Sequence, residues 1–154
     1  MRSSFLLDGM LGDLCRKLRL LGYDARLHSG AASHLFLVEA QKEGRIAVTT
    51  ASRQVDRKGP PPLVIHNAPV ERMVAELFRL SGETFDPAPF TRCLSCNAML
   101  RPVLKEEVRG RVPERVYRDF DDFRQCPVCG RFFWQGSHYT AMLDEVRRIE
   151  DAIG

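Results

Sequence analysis

The sequence lacks a long apolar run. Over 154 residues the longest stretches, such as Phe5-Leu6-Leu7, are only a few residues, far below the roughly 20 that span a bilayer. The first of them is cut by Asp8, well short of a signal-peptide core. The expected setting is therefore the cytoplasm, where thiols stay reduced and a disulfide scaffold is excluded. A strong excess of one charge is also missing: 23 Lys+Arg face 20 Asp+Glu, a formal net charge of +3. Residues 1–90 hold 12 basic and 10 acidic groups, residues 91–154 hold 11 and 10, so neither half is a basic tail. That balance does not by itself indicate a nucleic-acid partner. No internal repeat and no low-complexity tract is found. With 44% hydrophobic and 28% charged residues, the chain can build a core, which excludes global disorder.

The patterning that is present divides the chain. The polar, proline-containing stretch 83–90 reads as a linker between a first domain, 1–82, and a second, 91–154. Phe5-Leu6-Leu7 reads as a buried strand ending at Asp8. Met10, Leu11, Leu14, Cys15, Leu18 and Leu21 then recur at helical spacing and place an apolar face on a helix that stops before Gly22. Residues 23–27 read as a strand, 34–43 as a helix closed by Gly44, 45–50 and 63–65 as strands. A third helix runs from Pro69 to Gly82, its apolar face carrying Val70, Met73, Val74, Leu77, Phe78 and Leu80. Strands alternating with helices predict an α/β fold, a parallel sheet flanked by helices. In such sheets the functional edge lies beyond the carboxyl ends of the strands. Asp8 lies there, with Thr49, Thr50 and Ala51.

Four of the five cysteines form two CxxC knuckles, Cys93/Cys96 and Cys126/Cys129, 29 residues apart. A two-residue gap lets both sulfurs of a knuckle reach one tetrahedral ion at roughly 2.3 Å. Asn97 and Gly130 follow the second cysteine of each, and both types tolerate the positive φ of a tight turn. The pattern predicts a closed four-cysteine zinc site, structural because no ligand position stays open, in a ribbon that needs the metal to fold. The alternative, a redox dithiol, normally opens a helix in a thioredoxin-like context. A short helix is expected near Pro113, and a final amphipathic one carrying Tyr139, Met142, Leu143, Val146 and Ile149. Cys15, on the first helix's apolar face, is expected to pack as a small hydrophobe. Four thiolates and one Zn2+ bring the folded holo-protein to about +1.

Several motifs together resemble the Mut7-C ribonuclease-domain family. They are Asp8-Gly9-Met10-Leu11-Gly12, Leu18-Arg19-Leu20-Leu21-Gly22-Tyr23-Asp24, Glu43-Gly44-Arg45-Ile46, Arg92-Cys93-x-x-Cys96-Asn97, Cys126-Pro127-x-Cys129-Gly130-Arg131 and Trp134-x-Gly136-Ser137-His138. The resemblance implies a PIN-like nuclease fold followed by a zinc ribbon and a C-terminal helix, RNA as partner, and RNA cleavage assisted by Mg2+ or Mn2+. That chemistry needs several carboxylates around the metal. Asp8 matches the first. Ser33 and His34 occupy the stretch of the second, and Ala51 stands where the third is expected. Asp24, Glu39, Glu43 and Asp56 are near in sequence, without a spacing that makes any a substitute.

Asp8 is therefore read either as a metal ligand or as the N-cap of the first helix, and His34 as a ligand or a polar residue at a helix start. Arg16, Lys17 and Arg19 on the first helix could meet phosphates or form a solvated face. Arg92, Arg124 and Arg131 flank the knuckles. Trp134, with Phe132 and Phe133, could stack bases, although strand alternation puts one or two of the three in a core. His138 could contact phosphate or orient the ribbon. The expected function is a metal-dependent ribonuclease with a depleted acidic site. The alternative is a non-catalytic RNA- or ribosome-binding module, and protein partners could dock on the ribbon and last helix.

Overall fold

The computed structural model describes residues 2–51 and 60–154. Four parallel strands, β1 (Ser4–Leu7), β2 (Asp24–Leu27), β3 (Ile46–Thr49) and β4 (Leu63–Val64), form a sheet in the order β2-β1-β3-β4. The register pairs Leu7 with Leu27 on one side and with Val48 on the other, so the strands' carboxyl ends share one edge. The helices α1 (Gly12–Leu20), α2 (His34–Glu43) and α3 (Val70–Ser81) are interleaved with the strands. This is the arrangement that the alternating pattern predicted.

Strand alternation divides the core. Phe5 and Leu7 face a large cluster with Leu14 and Leu18 of α1 and Val74, Leu77 and Phe78 of α3. Leu6 and Ala47 face the opposite side, under Phe36 and Ala40 of α2. The large cluster also takes Val146 and Ile149 from the last helix, α6 (Ser137–Ile153). Lys17 pairs with Glu145 at 2.7 Å and Arg148 with Glu71 at 2.9 Å, tying α6 across α1 and α3. Among the described residues no helix is long and apolar enough to cross a membrane.

Three strands make a second, antiparallel sheet: β5 (Arg101–Val103), β6 (Phe123–Gln125) and β7 (Phe132–Trp134). The helices α4 (Lys105–Val108) and α5 (Glu114–Asp119) fill the insert between the knuckles. The stretch 83–90 is held against the larger sheet. Tyr23 Oη accepts from the Asp86 amide at 2.6 Å, the Ala88 amide donates to Leu21 O at 2.8 Å, and Phe85 packs on Tyr23 and Phe78.

Two apolar expectations need correction. Met10 is 82% exposed because α1 begins only at Gly12; residues 9–11 form a turn in which the Leu11 amide donates to Asp8 O. Leu80 is 55% exposed, on the outer side of α3's last turn. Cys15 packs as expected, with burial pushing its thiol up against the opposing charges of Arg19 and Arg45.

Candidate functional site

The cysteines converge. The ligand atoms of Cys93, Cys96, Cys126 and Cys129 lie within 4.8 Å of one another. Cys93 Sγ and Cys129 Sγ are 3.8 Å apart. A tetrahedron with metal–sulfur bonds of about 2.3 Å has sulfur–sulfur edges of about 3.8 Å, so the quartet fits a tetrahedral zinc site. The two knuckles are built alike. The Asn97 amide donates to Cys93 O and the Gly130 amide to Cys126 O, at 3.0 and 2.9 Å. Asn97 has φ 64° and Gly130 φ 78°, the left-handed turns expected at both positions. Burial pushes the Cys126 thiol up, but amide bonds from Cys129 and Val128 and the neighbouring thiols outweigh it and bring it down to about 7. Burial and the other thiols hold Cys93 above its ordinary value.

The first knuckle also docks the second sheet on the first. Asn97 Oδ1 accepts from the Ala25 amide at 3.1 Å, and its Nδ2 donates to Asp24 at 2.6 Å. Arg19 donates to Ala25 O, Leu94 O and Ser95 O. Asn97 and Arg19 therefore satisfy the outer side of β2, the edge strand, which would otherwise present open backbone groups.

At the carboxyl edge Asp8 is 3% exposed. Its Oδ1 accepts from the Met10 amide at 2.8 Å and its Oδ2 from Thr49 Oγ1 at 2.5 Å. The first bond is an Asx-turn, not the predicted N-cap; Leu11 occupies the cap position without a side-chain bond. The second ties β1 to β3. Thr49 Oγ1 in turn accepts from the Ala51 amide at 3.0 Å. The turn is tight: a side chain on Gly9 would come within 2.6 Å of Gly30 O.

The nearby acids are engaged elsewhere. Asp24 sits at the start of β2, beyond the opposite sheet edge, bound by Arg45 at 2.7 Å and by Asn97. Glu43 pairs with Arg26 at 2.5 Å. Glu39 binds His28 Nδ1 at 2.6 Å and also Arg26. Ser33 Oγ caps α2 by accepting from the Phe36 amide, His34 is exposed at the helix start and belongs to no metal-holding group, and Ala51 is exposed just beyond β3. Asp56 lies outside the described residues. Among the described residues, the cysteine quartet is the sole group of three or more His, Cys, Asp or Glu that gathers closely enough for a metal. The described residues around Asp8 do not fit Mg2+ or Mn2+, which need several oxygen ligands.

One pH dependence follows from the acids beside this edge. The His28 hydrogen bond, opposed by burial and aided by Arg26, holds the Glu39 carboxyl below its ordinary value of 4.5. A depressed carboxyl stabilises the fold above its unfolded value and loses that contribution as pH falls through the folded value. Urea midpoints of the wild type and Glu39→Gln should therefore differ at neutral pH and converge below about pH 4.5. A gap that is constant with pH would contradict this.

The structure separates the predicted RNA-contacting residues. Lys17 is committed to Glu145 and Arg19 to the knuckle carbonyls. Arg131 donates to Ser95 Oγ at 3.0 Å, linking the knuckles to each other. Arg16 is exposed and makes no ion pair among the described residues. It lines an open groove with Met10, Asp13, Asn67 and Pro69. Trp134 and His138 line a second groove, between the ribbon and α6. Phe132, Phe133 and Trp134 are all half-buried, and Trp134 packs on the buried Phe123 at 6.3 Å. Phe90 and Tyr139 also line this groove. They carry no local motif and come together only through the return of α6.

Comparison with known proteins gives one family. The model described as Mut7-C RNAse domain matches residues 3–146, which span the parallel sheet and the cysteine quartet. No curated protein and no solved structure matches the chain.

Proposed function

The chain belongs to the Mut7-C RNAse-domain family, and from that premise we propose that it engages single-stranded RNA while its metal-dependent hydrolysis is much reduced. The observation that carries this reading is Asp8, whose two carboxylate oxygens accept from Thr49 and the Met10 amide, and which belongs to no group of three or more described His, Cys, Asp or Glu close enough to hold a metal. Metal-assisted phosphodiester hydrolysis needs carboxylates free to hold an ion that activates water and offsets phosphate charge. Each Asp8 oxygen accepts one hydrogen bond and keeps a further lone-pair site, but one aspartate outside any such group offers Mg2+ or Mn2+ too few oxygen ligands. We further propose zinc as the ion of the cysteine quartet, holding the ribbon in place. The RNA contacts would be local, beginning with the exposed Arg16, because the chain's overall charge is small.

Fluorescence anisotropy of a labelled single-stranded RNA, without divalent metal, tests the reading. Binding should weaken as salt rises, with a log–log slope of about −0.7 for each phosphate contact, and Arg16→Glu should weaken it further. Absence of binding at low salt, or binding indifferent to salt, would contradict it.

A further inference from the structure

We propose that the groove between the ribbon and the first turns of α6 is a stacking site for one unpaired base of single-stranded RNA. The proposal rests on the RNA reading above and adds the subsite. Its walls include Phe90, Arg92, Phe133, Trp134, His138 and Tyr139, and among the described residues no acid lines it. Flat aromatic faces beside a guanidinium are what a nucleobase needs: stacking on the ring faces, and an N–H donor for the acceptors on the base edge.

Three further observations favour a base. Arg92 is not neutralised: Nη1 donates to Asn97 O at 2.6 Å, and its guanidinium makes no ion pair among the described residues. An unpaired guanidinium leaves positive charge and N–H donors for an incoming acceptor. Phe90 has φ 66°, a conformation that bulky side chains rarely adopt. It is held there by Arg124, whose guanidinium lies 4.4 Å from the ring centroid and donates to Phe90 O, and its ring meets Tyr139 edge-on at 6.2 Å. Strain of this kind persists where the surroundings enforce it and clusters at ligand-binding sites. Finally, the groove shares Leu20 with the open groove that carries Arg16. A strand with one base seated here would run on past that cation toward the carboxyl edge of the sheet.

Trp134 is the only tryptophan of the chain, so its emission reports on the groove directly. Titration of the zinc-loaded full chain with a short oligoadenylate should quench Trp134 saturably. Inorganic polyphosphate of comparable length, which has charge without bases, should bind without quenching. Tyr139→Ala and Arg92→Gln should each weaken oligoadenylate binding about tenfold, within the range of one base stack, at unchanged zinc content and circular dichroism. If Tyr139→Ala does not fold, Arg92→Gln and the wild-type quench give the same decision. Unchanged Trp134 emission under anisotropy-detected RNA binding overturns the groove and leaves the RNA reading intact. Equal quenching by polyphosphate overturns the groove as well. No RNA binding at all overturns both.

Discussion

Stripping the metal with a strong chelator is expected to release one zinc per chain, unfold the ribbon and lower the melting temperature of the parallel sheet. The ribbon has little else to hold it: from Cys93 to Trp134 the fully buried residues are Cys93, Val108, Phe123 and Cys126, and two of these are ligands. Structural zinc in such units contributes about 10–16 kcal/mol of apparent binding free energy, which becomes folding free energy. The effect reaches the sheet through Asn97 and Arg19. Their bonds to Ala25, Asp24, Leu94 and Ser95 depend on the first knuckle keeping its turn. Losing these four bonds, at about 1 kcal/mol each, should cost the sheet about 3 kcal/mol after relaxation and lower its melting by about 6–12 °C. Cys126→Ser should reproduce the result. Metal analysis alongside thermal melts, with hydrogen exchange read at the Ala25 amide, checks it. Metal-free and zinc-loaded chains that melt together would contradict it.

The second large effect is on stability at Asp8. Asp8→Ala removes a buried acceptor, leaving the Thr49 hydroxyl orphaned inside the protein and the Met10 amide without its partner at the half-buried turn. Unmade bonds of this kind cost about 1–3 kcal/mol each, so a loss of about 3 kcal/mol is expected in denaturant unfolding. Asp8→Asn keeps an acceptor oxygen for one of the two donors and should lose about half as much. A purely catalytic aspartate behaves otherwise, because removing an unpaired buried acid usually leaves stability unchanged or raises it. If Asp8→Ala proves as stable as the wild type, Asp8 is not the staple described here.

Much of this architecture is legible in the residues. The helix α3 follows its apolar period, α2 and α3 both stop at the glycines behind them, and the four parallel strands fall within a residue or two of the β-rich runs. The quartet is readable from spacing alone, since two CxxC knuckles already constrain the sulfurs. The strand β5 and the helix α4 are not legible: three and four residues long, with Pro102 in the strand, they take their form from pairing with β6 and from the Glu107 carboxylate that accepts from the Leu104 amide. The charges are the larger lesson. Lys17 and Arg19 carry the sequence signature of a solvated or phosphate-facing helix surface. Their partners, Glu145 and the Leu94–Ser95 carbonyls, arrive from far along the chain. Long-range packing reassigns such cations, and no local window contains it. Asp8 is the same case: its position at a strand end is readable, but its engagement by Thr49 is a contact between strands.

Cleavage itself is the most direct test. A labelled single-stranded RNA is incubated with the zinc-loaded chain and Mn2+, beside a metal-free control and Asp8→Asn. Wild-type cleavage is expected to stay near the metal-free control and near the variant, while anisotropy still detects RNA binding. Rapid Mn2+-dependent cleavage by the wild type that disappears in Asp8→Asn would contradict a site too poor in carboxylates to hold the ion.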